Sequence, residues 1–251
     1  MCCFSRPVQR VARTRIFARP TYAGRQVVVY AMELTAAEPL AMILPVPVKA
    51  GGNPKEFKFI NLEAYPEFFA DLNRGFPVPP PPAAVPLATS SSSRATKLEV
   101  VSVGSFEASF VPALADFDRL DARFRIDAGI WRRLPGYDRM GFAVFKLKAG
   151  RQEVHPMCFA FPRGDTSKLF FPTLHIHDGK IHEKEDFDHE LFAQGNGEQM
   201  PDVLNWEESR GWAGQFMKTE RTAGILQNDG HVYRRGLQAD LPNQDTYVEL
   251  V

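Results

Sequence analysis

Residues 76–96 hold six prolines, four consecutive serines and several alanines. Prolines in series favour an extended helix without internal hydrogen bonds, and a serine run is flexible. The stretch therefore reads as a linker or a long surface loop, and no core element passes through it. It divides the chain into an N-terminal part, residues 1–75, and a C-terminal part, residues 97–251. At 251 residues the two are expected to form a single composite domain interrupted by the loop. PxxP-like spacing lets this Pro-rich loop dock a protein partner, although most such stretches are spacers.

On both sides the pattern is mainly that of short strands. In the N-terminal part, residues 14–19, 26–34, 41–44 and 56–62 read as strands. Pro45 and Pro47 lack ladder donors, so the third ends there or lies at an edge. Residues 65–73 read as a short helix with Phe68, Phe69 and Leu72 inward. In the C-terminal part, strands are expected at 97–103, 105–111, 141–147, 157–161, 168–177 and 180–183. Helices are expected at 116–124, with Asp116 as N-cap, and at 129–134. A helical turn is expected at 186–194, and helical character from Asn205 through Trp206, Trp212 and Phe216. The last 20 residues are polar and are expected to lie across the surface. The fold class is α+β, dominated by antiparallel sheet with a few short helices. With 44% hydrophobic residues and 20 phenylalanines, the chain can bury a sizeable core.

Charge excludes one class of partner. The 30 basic and 30 acidic residues cancel, so no general positive field favours nucleic acid. Arg6, Arg10, Arg13, Arg15, Arg19 and Arg25 precede the first acid, Glu33, but they alternate with apolar residues and read as outer strand faces. No segment approaches the ~18 apolar residues of a membrane span. The N-terminus has no apolar signal core, so a cytoplasmic location is expected. Three cysteines, two of them adjacent, make no disulfide framework.

The main chemical candidate is the stretch from Leu174 to His182, LHIHDGKIH. Asp178-Gly179 between alternating apolar residues predicts a two-residue β-hairpin. His177 would then pair with Lys180, Ile176 with Ile181, and His175 with His182. Side chains alternate faces along a strand, so Leu174 and the isoleucines would share one face and the three histidines the other. Opposed residues have Cβ atoms about 4.5–5.5 Å apart, close enough for His175, His177 and His182 to converge on one ion. A fourth ligand could come from His189, Asp186 or Glu183. Imidazole suits a transition metal such as zinc, copper or iron. The same alternation also fits a solvated hairpin, and Lys180 on the histidine face opposes a cation.

Three runs carry a family resemblance: Ile43-Leu44-Pro45-Val46-Pro47, Val103-Gly104-Ser105-Phe106-Glu107, and residues 141–150, GFAVFKLKAG. Their order resembles a bacterial domain-of-unknown-function family with ILPVP, VGxYE-like and FxLKxG blocks. It spans roughly residues 14–175 and implies a β-rich α+β fold and a bacterial source. It transfers no catalytic residue.

Cys2 is a second candidate. Removal of Met1 would give it a free α-amino group, a base for its own thiol in the manner of N-terminal-nucleophile amide hydrolases. The following Cys3-Phe4-Ser5 does not match the Met-Cys-Gly-Ile start of the amidotransferases. Cys158, three residues from His155 in an extended run, reads as buried and inert. Nucleotide-binding glycine loops, H-E-x-x-H and G-x-S-x-G are absent. Three readings follow: a metal-binding protein or metal-dependent enzyme, an N-terminal-cysteine amide hydrolase, and a non-catalytic β scaffold or interaction module.

Overall fold

The computed structural model describes residues 3–48, 53–77, 101–103 and 106–251. The N-terminal part gives strands Cys3–Phe4 (β1), Arg10–Thr21 (β2), Arg25–Ala36 (β3), Leu40–Val46 (β4) and Lys58–Asn61 (β5), then helix Phe68–Arg74 (α1). Strands Val101–Val103 (β6) and Phe106–Val111 (β7), helix Ala128–Arg132 (α2), and strands Gly141–Leu147 (β8), Gly150–Pro162 (β9) and Lys168–Phe171 (β10) follow. The chain ends with Lys184–Ala193 (β11), Glu207–Glu208 (β12), Tyr233–Pro242 (β13) and Thr246–Glu249 (β14). The fold is mostly β, as the alternation implies, with short helices only. Among the described residues no helix is long and apolar enough to cross a membrane.

Two sheets carry the structure. One has the order β12-β13-β11-β2-β3-β9-β5, the other β1-β4-β8-β7-β6, and β10 pairs with β14 as a separate ribbon. All ladders are antiparallel except β11 with β2. Both large sheets draw strands from either side of residues 76–96, so the two parts are interleaved.

Alternating side chains explain why the central strands are apolar throughout. Val28, Tyr30, Met32 and Leu34 of β3 meet Leu40, Met42, Leu44 and Val46 of β4 in the core between the sheets. Val27, Val29 and Ala31 face outward into a second core under Phe68, Phe69 and Leu72 of α1. Ala41 and Ile43 of β4 face a third core built around Trp131. A strand covered on both faces must be apolar at every position.

Several local expectations fail for tertiary reasons. Residues 186–194 form most of β11, not a helical turn, because Phe187 and Leu191 enter the inter-sheet core while the backbone pairs with β13 and β2. The stretch 116–124 falls in two short 3-10 turns, Leu114–Arg119 and Ala122–Phe124; Asp121 caps the second and Asp116 caps neither. Past Asn205 only the 3-10 turns Ala213–Gln215 and Thr219–Arg221 form. The polar tail supplies β13 and β14. Arg19 is buried rather than outward, donating to the Gly195 and Ile225 carbonyls at 3.0 and 2.9 Å.

Candidate functional site

The hairpin expected at 174–182 does not form, because other groups take its backbone hydrogen bonds. Residues 168–171 pair with β14 instead. The Asp245 carboxylate accepts from the Thr173 and Leu174 amides at 2.8 and 2.9 Å. Asn243 then accepts from the His175 amide at 2.7 Å and donates to the His175 and His182 carbonyls at 2.9 and 3.0 Å. On the opposite side the Phe4 amide donates to the Ile176 carbonyl at 3.0 Å. Asp178-Gly179 still turns the chain: Asp178 accepts from the Lys180 amide at 3.0 Å and Gly179 has φ of 77°. The result is a loop whose ends, His175 and His182, are joined through Asn243.

The apolar half of the expected alternation holds. Leu174 and Ile176 are buried with Cys3 in the third core, and Ile181 packs against them. The other face is not open to water. His175 is fully buried, its ring 4.3 Å from Phe187 and 5.1 Å from both His177 and His189, centre to centre. His189 is also fully buried and projects from β11. His177 is half-buried, 5.8 Å from the Phe4 ring.

His182 does not join them. It is exposed and contacts Asp178 at 3.2 Å. The residues gathered are thus His175, His177 and His189, with His182 outside. Burial holds His175 well below the ordinary imidazole range and lowers His177 to about 4, so both are neutral at pH 7. Both ring nitrogens of His175 and His189, and Nε2 of His177, are buried without a hydrogen-bond partner. Among the described residues no group of three or more His, Cys, Asp or Glu side chains is arranged so that it could hold a metal ion.

Sequence reasoning missed three residues here. Asn243 and Asp245 clamp the histidine segment from a polar tail whose composition gave no sign of it. Asp245 is buried, also accepts from the Tyr137 hydroxyl at 2.7 Å, and is pushed up to about 6 by burial. Thr14 is buried opposite His189 in the β2–β11 ladder, and its hydroxyl is unpaired. The β2 bulge between Ala12 and Arg15 surrounds Thr14.

Cys2 lies outside the described residues. Cys3 is buried, its thiol 3.9 Å from the Leu174 carbonyl, and it bridges Ile176 in parallel. Cys158 is buried in the second core and its thiol is raised well above the ordinary range by burial. His155 packs at 3.9 Å on Phe106, of the inter-sheet core, away from Cys158.

The described residues on either side of the Pro-rich segment are held in place. Before it, Phe76 is buried beside Phe192 at 6.0 Å, under the Arg234 guanidinium at 4.7 Å. Arg210 fixes the exit, donating from its amide to the Gly75 carbonyl at 2.9 Å and from its guanidinium to the Pro77 carbonyl at 3.2 Å. After it, the chain enters β6, the edge strand paired with β7. Most of the 76–96 loop lies outside the described residues.

No family model and no curated protein matches the chain. Solved structures do. The crystal structure of baculovirus P35 matches with a TM-score of 0.51 over 100% of both chains, at 10% identity. The fold resembles that of P35. P35 in the caspase-8/P35 complex gives a TM-score of 0.46 over 95% of this chain and 96% of that one, at 10% identity. A mutated P35 after caspase cleavage gives 0.46 over 96% and 100%, at 11% identity. At such identity the likeness is one of fold, and fold does not carry function with it.

Proposed function

We propose that this chain is a non-catalytic β scaffold that docks a protein partner through its 76–96 segment, and that the partner is an endoprotease. The observation that carries this reading is the anchoring of the segment. Its first residues are pinned by Phe76 and Arg210, and the chain resumes in a paired edge strand. A segment fixed at both ends loses less freedom on binding than a free tail, which favours affinity. Prolines reduce the cost further by restricting the chain beforehand. Endoproteases take substrates as extended peptides, the conformation that proline runs favour.

P35, whose fold this chain resembles, is a protein solved in complex with caspase-8 and after caspase cleavage. Caspases cut after aspartate, and residues 76–96 contain neither aspartate nor glutamate. The partner proposed is therefore an endoprotease selective for an apolar or basic residue, with Leu87 and Arg94 the candidates in the segment. The test is incubation with elastase-like, chymotrypsin-like and trypsin-like proteases and with caspase-8, followed by size-exclusion chromatography and intact-mass analysis. A stable complex with a protease of apolar or basic selectivity, or a cut confined to 76–96 that leaves the protease inhibited, supports the reading. Turnover as an ordinary substrate by all four, or no complex and no inhibition, overturns it.

A further inference from the structure

We infer that the connection between β7 and β8 forms a binding site for a small molecule with an apolar body and one anionic group, apart from any partner at the Pro-rich segment. The topology is the first observation. The two strands are antiparallel neighbours, and Val111 at the end of β7 pairs with Phe142 near the start of β8. A turn of about two to five residues is enough to join such a pair. Here the chain runs from residue 112 to residue 141 instead, through two 3-10 turns, α2 and a further 3-10 turn at Tyr137–Arg139. Long connections of this kind, carried on a rigid sheet, are where binding residues concentrate.

The connection has two faces. Inward, Phe117, Ile126 and Trp131 close the third core. Outward, it leaves an open concavity of about 760 Å³, within the ~300–1,000 Å³ usual for small-molecule sites. Leu114, Ala115, Phe117 and Ile126 give the concavity an apolar lining, and arginines and aspartates give it a polar one. Its shape is set before anything binds. Arg125 donates to the Leu120 carbonyl at 2.7 Å and to the Asp118 carboxylate at 3.0 Å, and Asp127 accepts from the Gly129 amide at 2.6 Å. Such preorganisation favours affinity.

Uncommitted charge selects the ligand. Within the connection Asp116, Asp118 and Asp121 are paired with Arg119, Arg125 and Arg123, and Asp127 caps α2. Asp138 is the one aspartate left over. Against it stand Arg132, Arg133 and Arg139, all exposed and with no carboxylate within 4.0 Å among the described residues. Arg132 lines the concavity. A guanidinium takes a carboxylate, sulfonate or phosphate through two parallel hydrogen bonds. Arg133 and Arg139, its near neighbours in the chain, add positive potential. The apolar lining then takes the rest of the ligand.

The experiment titrates full-length protein with 1-anilinonaphthalene-8-sulfonate, read by fluorescence, and displaces the probe with dodecanoate or with dodecylammonium. Wild type is expected to bind the probe and to release it to dodecanoate more readily than to dodecylammonium. Ala115→Trp, at an exposed lining position, fills the concavity, and Arg132→Glu reverses the anchoring charge. Each is expected to weaken binding about tenfold or more, the worth of one charge-assisted contact or of a blocked site, with the melting temperature unchanged. Arg151→Glu, an exposed charge on β9 outside the site, is expected to bind as wild type does. Wild type that leaves the probe fluorescence unchanged overturns the inference. So does wild-type binding in both Ala115→Trp and Arg132→Glu, or equal displacement by the two dodecyl compounds.

Discussion

Asn243 is a small residue on which the candidate site depends. Its side chain makes three hydrogen bonds, to the His175 amide, the His175 carbonyl and the His182 carbonyl. The Asn243→Ala substitution removes every partner at once. The two His175 groups are buried, and each costs about 1–3 kcal/mol when left unpaired. The His182 carbonyl is nearer to water and adds little. The expected loss is therefore about 2–6 kcal/mol, among the larger effects of a single substitution. At about 2–4 °C per kcal/mol for a chain of this size, melting should fall by roughly 4–24 °C. Asn243→Asp keeps the shape and the acceptor for the His175 amide. It loses both donors and sets a carboxylate against two carbonyl oxygens, so at neutral pH it should destabilise at least as much as alanine. Urea denaturation followed by circular dichroism measures both. A loss below about 0.5 kcal/mol for Asn243→Ala, the level of a neutral surface change, would refute the clamp. So would an aspartate variant as stable as wild type.

Other substitutions probe the core and the buried carboxylate. Phe57 stacks on Phe110 with ring centres 4.1 Å apart and also meets Phe59, Phe159 and Phe161, so Phe57→Ala should cost about 3–5 kcal/mol; a chemical melt within 1 kcal/mol of wild type would show that this aromatic stack does not hold the sheets. Asp245 is buried with its carboxyl raised to about 6, against about 3.9 for an ordinary aspartate. The folded state thus binds this proton more tightly than the unfolded chain, and the stabilisation present at low pH is lost as pH rises from about 4 to about 6. That difference is worth about 3 kcal/mol at 1.36 kcal/mol per unit. Wild type should lose that much relative to Asp245→Asn between pH 4 and pH 7, and a pH-independent difference between the two would contradict the assignment.

The sheets were legible because their strands carry the signal in their own residues. Residues 141–147 alternate between two cores, and the strand β8 has those bounds. Strand β11 was not legible: Glu185, Asp186, Asp188 and Glu190 crowd it with charge, residues 186–194 read as a helical turn, and only its central place between β13 and β2 makes it a strand. For β13 the ladder to β11 decides, since Leu237 is its one buried hydrophobic residue. The histidines divide in the same way. His175 and His177 share a face by simple alternation, which the sequence states. Choosing His182 as their companion followed from Asp-Gly turn chemistry, a local rule. The actual companion, His189, is brought in by β11. The backbone bonds a hairpin would have used are taken by Asn243 and Asp245, some 70 residues away, and no local pattern encodes that pairing.

The most direct test of the scaffold reading replaces residues 78–96 with a glycine-serine chain of equal length, leaving Phe76, Pro77 and β6 in place. Melting temperature and protease binding are then measured on the same sample. The account predicts an unchanged melting temperature, because the described cores lie outside the replaced stretch, together with complete loss of protease binding. Retained binding would place the contact on the sheets and contradict the account.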